Sequence, residues 1–379
     1  MLGSASLANY QNGGGHWAWF LQYPLGLRAL GHEVKWLEIM RPMGDADVER
    51  AAISGFFARA SEFGLDRDCI LIVARAAVHD LTQAEVYGAT AADVRELSRD
   101  ADLLWNLAAG IREPILSMFR RSILIDVDPG HLQLAALACD LDLASHHAFL
   151  TAGGKINHPD CLVPRLGHEW RTFHPFVHLP LWTAAPGAGK AAPISSVTHW
   201  TWELLPYEGR LVSASKRTAY LRYLELPLRT RRPFTLAANI GESDPVSDTA
   251  LLASYGWTVV DPHRIAASPA DYQSFIRASR AEFQCPKPVF REFRTGWISD
   301  RSAAYLASGR PVIAEETGFS ELIPAGRGLL AFRDLEEAAA AVAEIDAHYE
   351  FHRRAARELA EAHFDARRTL ERMLAASSA

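Results

Sequence analysis

Short apolar runs alternate with stretches of helical periodicity along almost the whole chain. Most of the runs in the first half are apolar on both alternating faces, as expected of parallel strands that helices cover on both sides. They read ASLANY, EVKWLEI, CILIVA, DLLWNLA, SILIDVD and HHAFLTA. The helix behind Gly15 is predicted to kink at Pro24 and to end near Gly31, a residue type suited to closing a helix. The first half is therefore predicted to be an α/β unit.

A segment rich in glycine, proline, alanine and serine, residues 183–196, interrupts this alternation. Strand patterns then resume as SVTHW, FTLAANI, WTVVDP, AEFQC, PVIAE and GLLAF, and the chain ends in alanine- and charge-rich helical sequence. Two such series predict two doubly wound, Rossmann-like α/β domains. We place them at residues 1–190 and 191–345, with terminal helices at 346–379. Ligands of such sheets bind at the carboxyl ends of strands, so the site is expected in the cleft between the domains.

The composition narrows the function classes. The 379 residues carry a net charge of −6 without a basic block, which argues against a nucleic-acid partner. Four scattered cysteines and the lack of a signal-peptide pattern predict a reduced, cytoplasmic protein. No transmembrane segment is expected, because no uncharged apolar run approaches about 20 residues. The oligomeric state cannot be inferred.

The most unusual stretch is QNGGGHWAWF, residues 11–20, in which three glycines lead into a histidine and a helix. Glycine lets a backbone approach a ligand closely, and the amides of a helix start can face a phosphate, so Gly14 and Gly15 are candidate phosphate-binding residues. His16 is a candidate general base because its ordinary pKa lies near neutrality. The alternative is a helix-start histidine bonded to a nearby carbonyl. The spacing is not that of a dinucleotide-binding loop.

A second group of ionisable residues is IDVDPGH, where two aspartates end a strand and a histidine opens the next helix. Asp126 or Asp128 can orient His16 or bind a substrate hydroxyl, and His131 can contact a substrate. An Asp–Pro–Gly turn with capping carboxylates is the alternative. We count all three as candidate catalytic residues.

Aromatic and histidine side chains supply candidates for contact with a substrate. Trp17 follows the glycine loop, and His199 and Trp200 open the second series, although packing in the core is the alternative for the tryptophans. No metal site is predicted, because the spacing of the central histidines and cysteine matches no zinc pattern. Those residues are His158, Cys161, His168, His174 and His178.

The stretch from Gly296 to Phe332 resembles the donor-nucleotide segment of GT-B glycosyltransferases. The matching pieces are Gly309–Ile313, Gly318–Glu321 and Gly328–Leu330. The opening glycine loop and the following GLRALGHEV are similar to the start of the family's acceptor domain, and the two ends together cover most of the chain. The resemblance implies a GT-B fold, with two Rossmann-like domains facing across a cleft and C-terminal helices crossing back onto the first domain. It also supports His16 as base, because inverting members often place a histidine just after a loop glycine.

The resemblance assigns the donor-binding residues. A helix capped by Ser299 or Asp300 offers its first amides to a diphosphate, and Glu321 occupies the family's ribose-binding position. Plain capping and a solvated loop charge are the alternatives. Lys287 can place a positive charge against a phosphate, and arginine residues are alternatives for the same role. The donor candidates are Gly14, Gly15, Lys287, Ser299, Asp300, Arg301, Ser302, Gly318, Phe319 and Glu321. The candidates for contact with the acceptor or sugar are Trp17, His199 and Trp200.

The predicted function is transfer of a sugar from a nucleoside-diphosphate sugar to an acceptor hydroxyl or another nucleophile. No metal or other cofactor is expected, since helix amides can replace a divalent ion. The glutamate pair that many retaining members carry in the donor segment is absent, which favours inversion without deciding it. Two alternatives stay open, namely a sugar-nucleotide epimerase or hydrolase of the same fold and a non-catalytic nucleotide-sugar-binding protein. The base, the sugar and the acceptor cannot be inferred from the sequence.

Overall fold

The computed structural model describes residues 1–5, 7–75, 79–240 and 245–378. The strands are β1 (Leu2–Ala5), β2 (Trp36–Met40), β3 (Cys69–Val73), β4 (Glu85–Tyr87), β5 (Leu104–Leu107), β6 (Ser122–Asp126), β7 (Ala148–Thr151), β8 (Trp170–Thr172), β9 (Ile194–Thr198), β10 (Leu204–Tyr207), β11 (Arg210–Ser213), β12 (Phe234–Ala238), β13 (Trp257–Val260), β14 (Ala281–Gln284), β15 (Val312–Glu315) and β16 (Leu329–Phe332). The helices are α1 (Gly14–Ala29), α2 (Ala46–Ser61), α3 (Ala91–Asp100), α4 (His131–Ala138), α5 (Lys216–Leu221), α6 (Leu226–Thr230), α7 (Pro245–Ser254), α8 (Pro262–Ile265), α9 (Pro269–Ala278), α10 (Pro288–Glu292), α11 (Asp300–Ala307), α12 (Leu335–Ala347), α13 (Tyr349–His363) and α14 (Ala366–Ser378).

The first sheet has the strand order β4-β3-β2-β1-β5-β6-β7-β8 and is parallel except at β4. Five of its predicted strands are present, but the first strand lies at Leu2–Ala5, before the predicted residues 5–10. Ser6 of that predicted strand lies outside the described residues. Beyond it the chain turns, with the Tyr10 amide donating to the Leu7 carbonyl at 3.1 Å. The apolar residues of this stretch reach the core from a turn. An apolar sequence pattern alone does not distinguish such a turn from a strand.

The second sheet has the order β13-β12-β9-β14-β15-β16 and is entirely parallel. This is a doubly wound arrangement, with β9 and β14 adjacent where the strand order reverses. The two sheets are formed by residues 2–172 and 194–332, and the glycine- and proline-rich segment lies between them. The sequence reading missed the edge strands β4 and β8 and the hairpin β10–β11. These strands are only three or four residues long, too short to show a period.

Helix α1 positions the glycine loop against the first sheet. It starts after Gly13, contains Pro24 and is followed by Gly31 at a φ of +89°, as predicted. Its inner face is buried in an aromatic core, where the Phe20 and Trp36 rings stack at a centroid distance of 4.1 Å. This packing holds the amino end of α1 at the carboxyl edge of the sheet.

The C-terminal helices return to the first half of the molecule. Helix α13 packs on α11, and α14 packs along α1, where a side chain at Gly26 would collide with Leu370. The indole of Trp105 donates to the Ser377 hydroxyl at 2.9 Å. The predicted α/β fold with two Rossmann-like domains and returning helices is therefore confirmed. In the part of the chain that the structure describes, no helix is long and apolar enough to cross a membrane.

The carboxyl edges of the two sheets face each other and touch at several points. The Gly14 amide donates to the Ala266 carbonyl at 3.0 Å, and the Lys155 amide donates to the Thr295 carbonyl at 3.0 Å. The groups that follow the strands of both sheets therefore meet in one cleft.

Candidate active site

His16 lies in the cleft, in the first turn of α1, with its side chain exposed. Its ring centroid is 4.8 Å from that of Tyr10 and 5.5 Å from that of His199. The Tyr10 hydroxyl joins the two halves, because it lies 3.1 Å from His199 Nε2 and 3.3 Å from His263 Nε2. Asn239 Nδ2 lies 2.8 Å from the other ring nitrogen of His199. Histidines from both halves thus converge on the glycine loop.

His16 is neutral at physiological pH. Although its exposed surface faces the cleft, protein atoms of both halves surround the ring, and this burial lowers its pKa to about 4. The negative charge of Asp128 opposes the shift, and the positive charge of Lys287 adds to it. Burial also lowers the pKa of His199 to about 4. A neutral imidazole can accept a proton, as a general base must.

A second polar group of the cleft is centred on Lys287. Its Nζ lies 3.1 Å from Asp128 Oδ2 and 2.7 Å from His131 Nδ1. His131 Nε2 in turn lies 2.6 Å from the Glu203 carboxylate. Burial alone would raise the pKa of Asp128, but the charges of Lys287 and His131 outweigh it and lower that pKa. The structure therefore brings three predicted residues into one network.

Asp126 does not reach the cleft as predicted. Its side chain is buried, accepts hydrogen bonds from Gln133 at 2.9 Å and Thr151 at 2.7 Å, and also accepts the Asp128 amide at 2.9 Å. These bonds fix the turn that carries Asp128 and His131. The candidate catalytic role is replaced by a structural one, because the carboxylate is fully engaged below the surface.

The amino end of α11 contains hydrogen-bond donors that have no partner. Ser299 caps the helix by accepting the Arg301 amide at 3.2 Å. The Arg301 side chain pairs with the buried Glu282 and donates to the Val197 carbonyl, yet its Nη2 has no hydrogen-bond partner. The buried Ser302 hydroxyl is likewise unpartnered. Helix amides, a guanidinium and a hydroxyl together form a site suited to an anion.

Lys216 was missed by sequence reasoning. It opens α5 and is buried, and among the described residues nothing forms a hydrogen bond or ion pair with its Nζ. Burial, followed by the positive charges of Arg301 and Lys287, lowers its pKa to about 7. The available signal was a lysine in the first turn of a predicted helix, where the helix dipole disfavours a cation.

The glycines of the loop allow the two halves to approach each other closely. A Cβ at Gly14 would lie 2.2 Å from the Ser268 carbonyl oxygen, and one at Gly15 would lie 3.2 Å from the Tyr272 ring. The Gly14 amide, predicted to face a phosphate, is instead bonded to Ala266. Glycine is required here because the second half packs directly on the loop.

The two tryptophans predicted to contact an acceptor are core residues. Trp17 is 1% exposed and packs on Trp36, with ring centroids 5.5 Å apart. Trp200 is 2% exposed, and its indole donates to Asp248 at 2.8 Å. Both face away from ligand because apolar burial outweighs the stacking role considered for them.

Glu321 lies at one end of the cleft in an ion-pair network. Its carboxylate contacts Lys155 Nζ at 2.5 Å and Arg294 Nη2 at 2.8 Å, and these partners lower its pKa. The preceding Gly318, at a φ of +97°, is packed against Lys155. The Phe319 ring is buried in the core. The carboxylate is about half exposed, and each of its oxygens has one cationic partner and can accept further hydrogen bonds.

A metal centre does not emerge from the described ranges: no group of three or more histidine, cysteine or acidic side chains in them is arranged to hold an ion. The four cysteines are free thiols.

Comparisons with known proteins bear on the family and on the fold. Residues 225–375 match the family model described as "Glycosyl transferase-like". Among solved structures, Anabaena HepE in complex with UDP-glucose has a TM-score of 0.57 at 13% identity, over 99% of each chain. Sucrose-phosphate synthase from Thermosynechococcus elongatus has a TM-score of 0.54 at 13% identity, over 98% of this chain and 96% of that one. A glycosyltransferase from Rickettsia africae has a TM-score of 0.55 at 12% identity, over 99% and 96%. A search of curated protein sequences finds no match.

The family match and the fold together define the class. Residues 225–375 match the glycosyl transferase-like family and the whole chain has the GT-B fold, so the resemblance inferred from the sequence is confirmed.

Proposed function

We propose that this protein transfers a sugar from a nucleoside-diphosphate sugar to an acceptor hydroxyl without the help of a metal ion. The observation that carries the proposal is the set of unpartnered donors at the amino end of α11, namely Lys216 Nζ, Arg301 Nη2 and Ser302 Oγ. Buried polar groups are normally paired, so three such groups in one place favour an anionic ligand. The HepE structures with UDP and UDP-glucose support a nucleoside diphosphate as that anion.

The cations of the site match the charge that develops during transfer. As the bond between sugar and diphosphate breaks, the leaving group gains negative charge. Preorganised cations and helix amides stabilise such charge most effectively where water is excluded. Lys216, Lys287 and Arg301 fill the role that a divalent ion plays elsewhere, which supports metal-independent transfer.

His16 is proposed to take the proton of the acceptor hydroxyl. Its neutral imidazole stands in the cleft at the start of α1, among Tyr10 and His199. Asp128, whose pKa is lowered, stays ionised and favours the imidazolium that forms. The proton therefore passes from the acceptor oxygen to His16 while the acceptor oxygen bonds to the sugar carbon and the diphosphate leaves.

The test combines UDP binding with turnover. Calorimetry at pH 7.5 in buffers of different ionisation enthalpy should show proton uptake on UDP binding, because a bound diphosphate raises the pKa of Lys216 from about 7. Lys216→Met should lose the uptake and weaken UDP binding by about 1–3 kcal/mol. Lys190→Met, in the segment between the sheets, is the matched control. UDP-glucose is the first donor to assay, with and without EDTA.

Three results would count against the proposal. UDP and the other nucleoside diphosphates failing to bind the folded protein would remove the donor site. Loss of turnover in EDTA would remove metal independence. Binding without turnover for every donor and acceptor tried would leave a binding protein instead.

A further inference from the structure

A small cavity lies between the two halves, beside the amino end of α11. Five aromatic side chains line it, together with Val127, Ala152, Pro175 and one carboxylate, that of Asp300. The aromatic residues are Trp19, Tyr23, Phe173, Phe176 and Trp297. We call this cavity the aromatic pocket.

The walls of the aromatic pocket are rigid. The Tyr23 ring packs edge-on against Trp19 and Phe176, with centroid distances of 5.8 and 4.8 Å. The Trp297 indole donates to the Val127 carbonyl at 3.1 Å, which fixes the ring of the second half onto the first. Aromatic rings carry negative quadrupole potential on their faces, which favours a cationic neighbour.

Asp300 is the polar group of the pocket and is available to a ligand. Among the residues that the structure describes, no other side chain donates a hydrogen bond to its carboxylate. Burial raises its pKa, and the nearby charges of Arg301 and Lys216 act against that shift. A cation in the pocket would provide the missing partner.

The charge of the occupied cleft also favours a cation. Lys216, Lys287 and Arg301 are the cations around the amino end of α11. They face the carboxylates of Asp128, Asp300, Glu203 and Glu282. A bound diphosphate adds negative charge and occupies the cations, so the centre then carries surplus negative charge.

We propose that the aromatic pocket binds the ammonium group of an acceptor that carries a primary amine, such as an amino sugar. This inference rests on the proposed function and names the class of its acceptor. The ammonium is an anchor, and a hydroxyl of the same molecule remains the nucleophile. A cation over aromatic faces and beside a carboxylate is favourable where water is excluded.

The size of the pocket agrees with this occupant. Its volume of about 20 Å³ holds one group of the size of water or ammonium and is too small for a sugar ring. An apolar group there would offer the Asp300 carboxylate no partner, whereas an ammonium would pair with it.

The experiment compares D-glucosamine with D-glucose, two probes that differ by an ammonium in place of one hydroxyl. Binding is measured by ligand-observed NMR titration, with and without saturating UDP, and the UDP affinity is measured separately. We expect glucosamine to bind at least about tenfold more tightly than glucose when UDP is present, which corresponds to about 1.4 kcal/mol. Asp300→Asn, which keeps the shape of the side chain, should abolish the preference. Asp47→Asn, a fully exposed position on α2, should retain it.

Equal binding of the two sugars by the wild-type protein, with and without UDP, would overturn the proposal without any variant. A preference that survives in Asp300→Asn would also overturn it, because the attraction would then come from the overall negative charge. The UDP affinity distinguishes this failure from that of the proposed function. If UDP binds normally and glucosamine shows no preference, only the acceptor class is wrong.

Discussion

At the residue scale, His16 and Lys216 are the two side chains whose environment most clearly prepares them for chemistry. Burial moves both pKa values toward the neutral form, to about 4 for His16 and to about 7 for Lys216. Neutral His16 can accept a proton, whereas Lys216 becomes fully charged only when an anion arrives. The cleft therefore holds a base that is already neutral and a lysine whose charge depends on a bound anion.

For His16 we expect His16→Ala to lower turnover by roughly 10²–10⁴-fold, the usual contribution of positioned proton transfer. UDP affinity should change little. In the wild-type protein the acidic limb of kcat/KM should lie well below pH 6.5, because an imidazole with a pKa of about 4 stays unprotonated to lower pH. Both are measured by steady-state kinetics across pH, with His32→Ala beyond the other end of α1 as control. Near-normal turnover of folded His16→Ala would place the base elsewhere, with Asp128 and His131 the next candidates.

At the element scale, the turn between β1 and α1 is fixed by one buried carboxylate. Glu38 on β2 accepts the Ala8 amide at 3.1 Å and the Ser4 hydroxyl, and the Trp36 indole donates to Ser4 at 2.8 Å. This turn carries Tyr10 and leads into the glycine loop. Glu38 is therefore a positioning residue for the cleft.

The ionisation of Glu38 should be visible in stability. Burial raises its pKa from 4.5 to about 7. Between these values the folded protein keeps a proton that the unfolded chain releases, so the free energy of unfolding falls as pH rises. Glu38→Gln cannot titrate and keeps an acceptor for Ala8, so its stability relative to wild type should grow by up to roughly 3 kcal/mol between pH 5 and 8. Denaturant unfolding at several pH values measures this.

Glu96→Gln, on the exposed face of α3, provides the comparison for Glu38→Gln. It should follow the wild-type stability curve throughout. Parallel curves for wild type and Glu38→Gln would mean that Glu38 ionises normally in the folded state.

At the scale of the whole molecule, the described structure is closed, with polar contacts between the two halves along the cleft. Tyr10 contacts His199 and His263, Lys287 contacts Asp128, and Lys155 contacts Glu321. The C-terminal helix α14 packs along α1 and so ties the end of the chain to the first half. These contacts hold the two halves together along the cleft, and movements that break such contacts commonly accompany ligand binding.

Tyr10→Phe should shift the molecule toward an open form. The substitution removes the hydroxyl that reaches both histidines and keeps the ring beside His16. Each lost hydrogen bond is worth about 0.5–1.5 kcal/mol, so the ratio of open to closed molecules should rise by roughly 2- to 10-fold per bond. Small-angle scattering without ligand should report a larger radius of gyration, which UDP reverses. Tyr87→Phe, whose hydroxyl bonds only its neighbour Glu85 in the described structure, should scatter like wild type.

Much of the fold could be predicted because it depends on local patterns. The apolar runs CILIVA and SILIDVD predict buried strands from their own composition. Gly31 favours a helix end through the freedom of its own backbone. The donor segment was recognised from spacing in the same way. Short edge strands and the turn at residues 7–10 were not predictable, since their conformation depends on partners distant in sequence such as Glu38.

The chain by itself determined the doubly wound α/β architecture, the class of enzyme and the turn at Ser299–Ser302, because periodicity, glycine spacing and helix capping are properties of neighbouring residues. Only the tertiary structure decided which polar residues meet. It buried Trp17, Trp200 and Asp126, paired Glu321, and brought Lys216 to the amino end of α11. Burial and unpaired charge arise from tertiary contacts between separate segments, such as those of Lys155 and Glu321, 166 positions apart, and no local pattern encodes them.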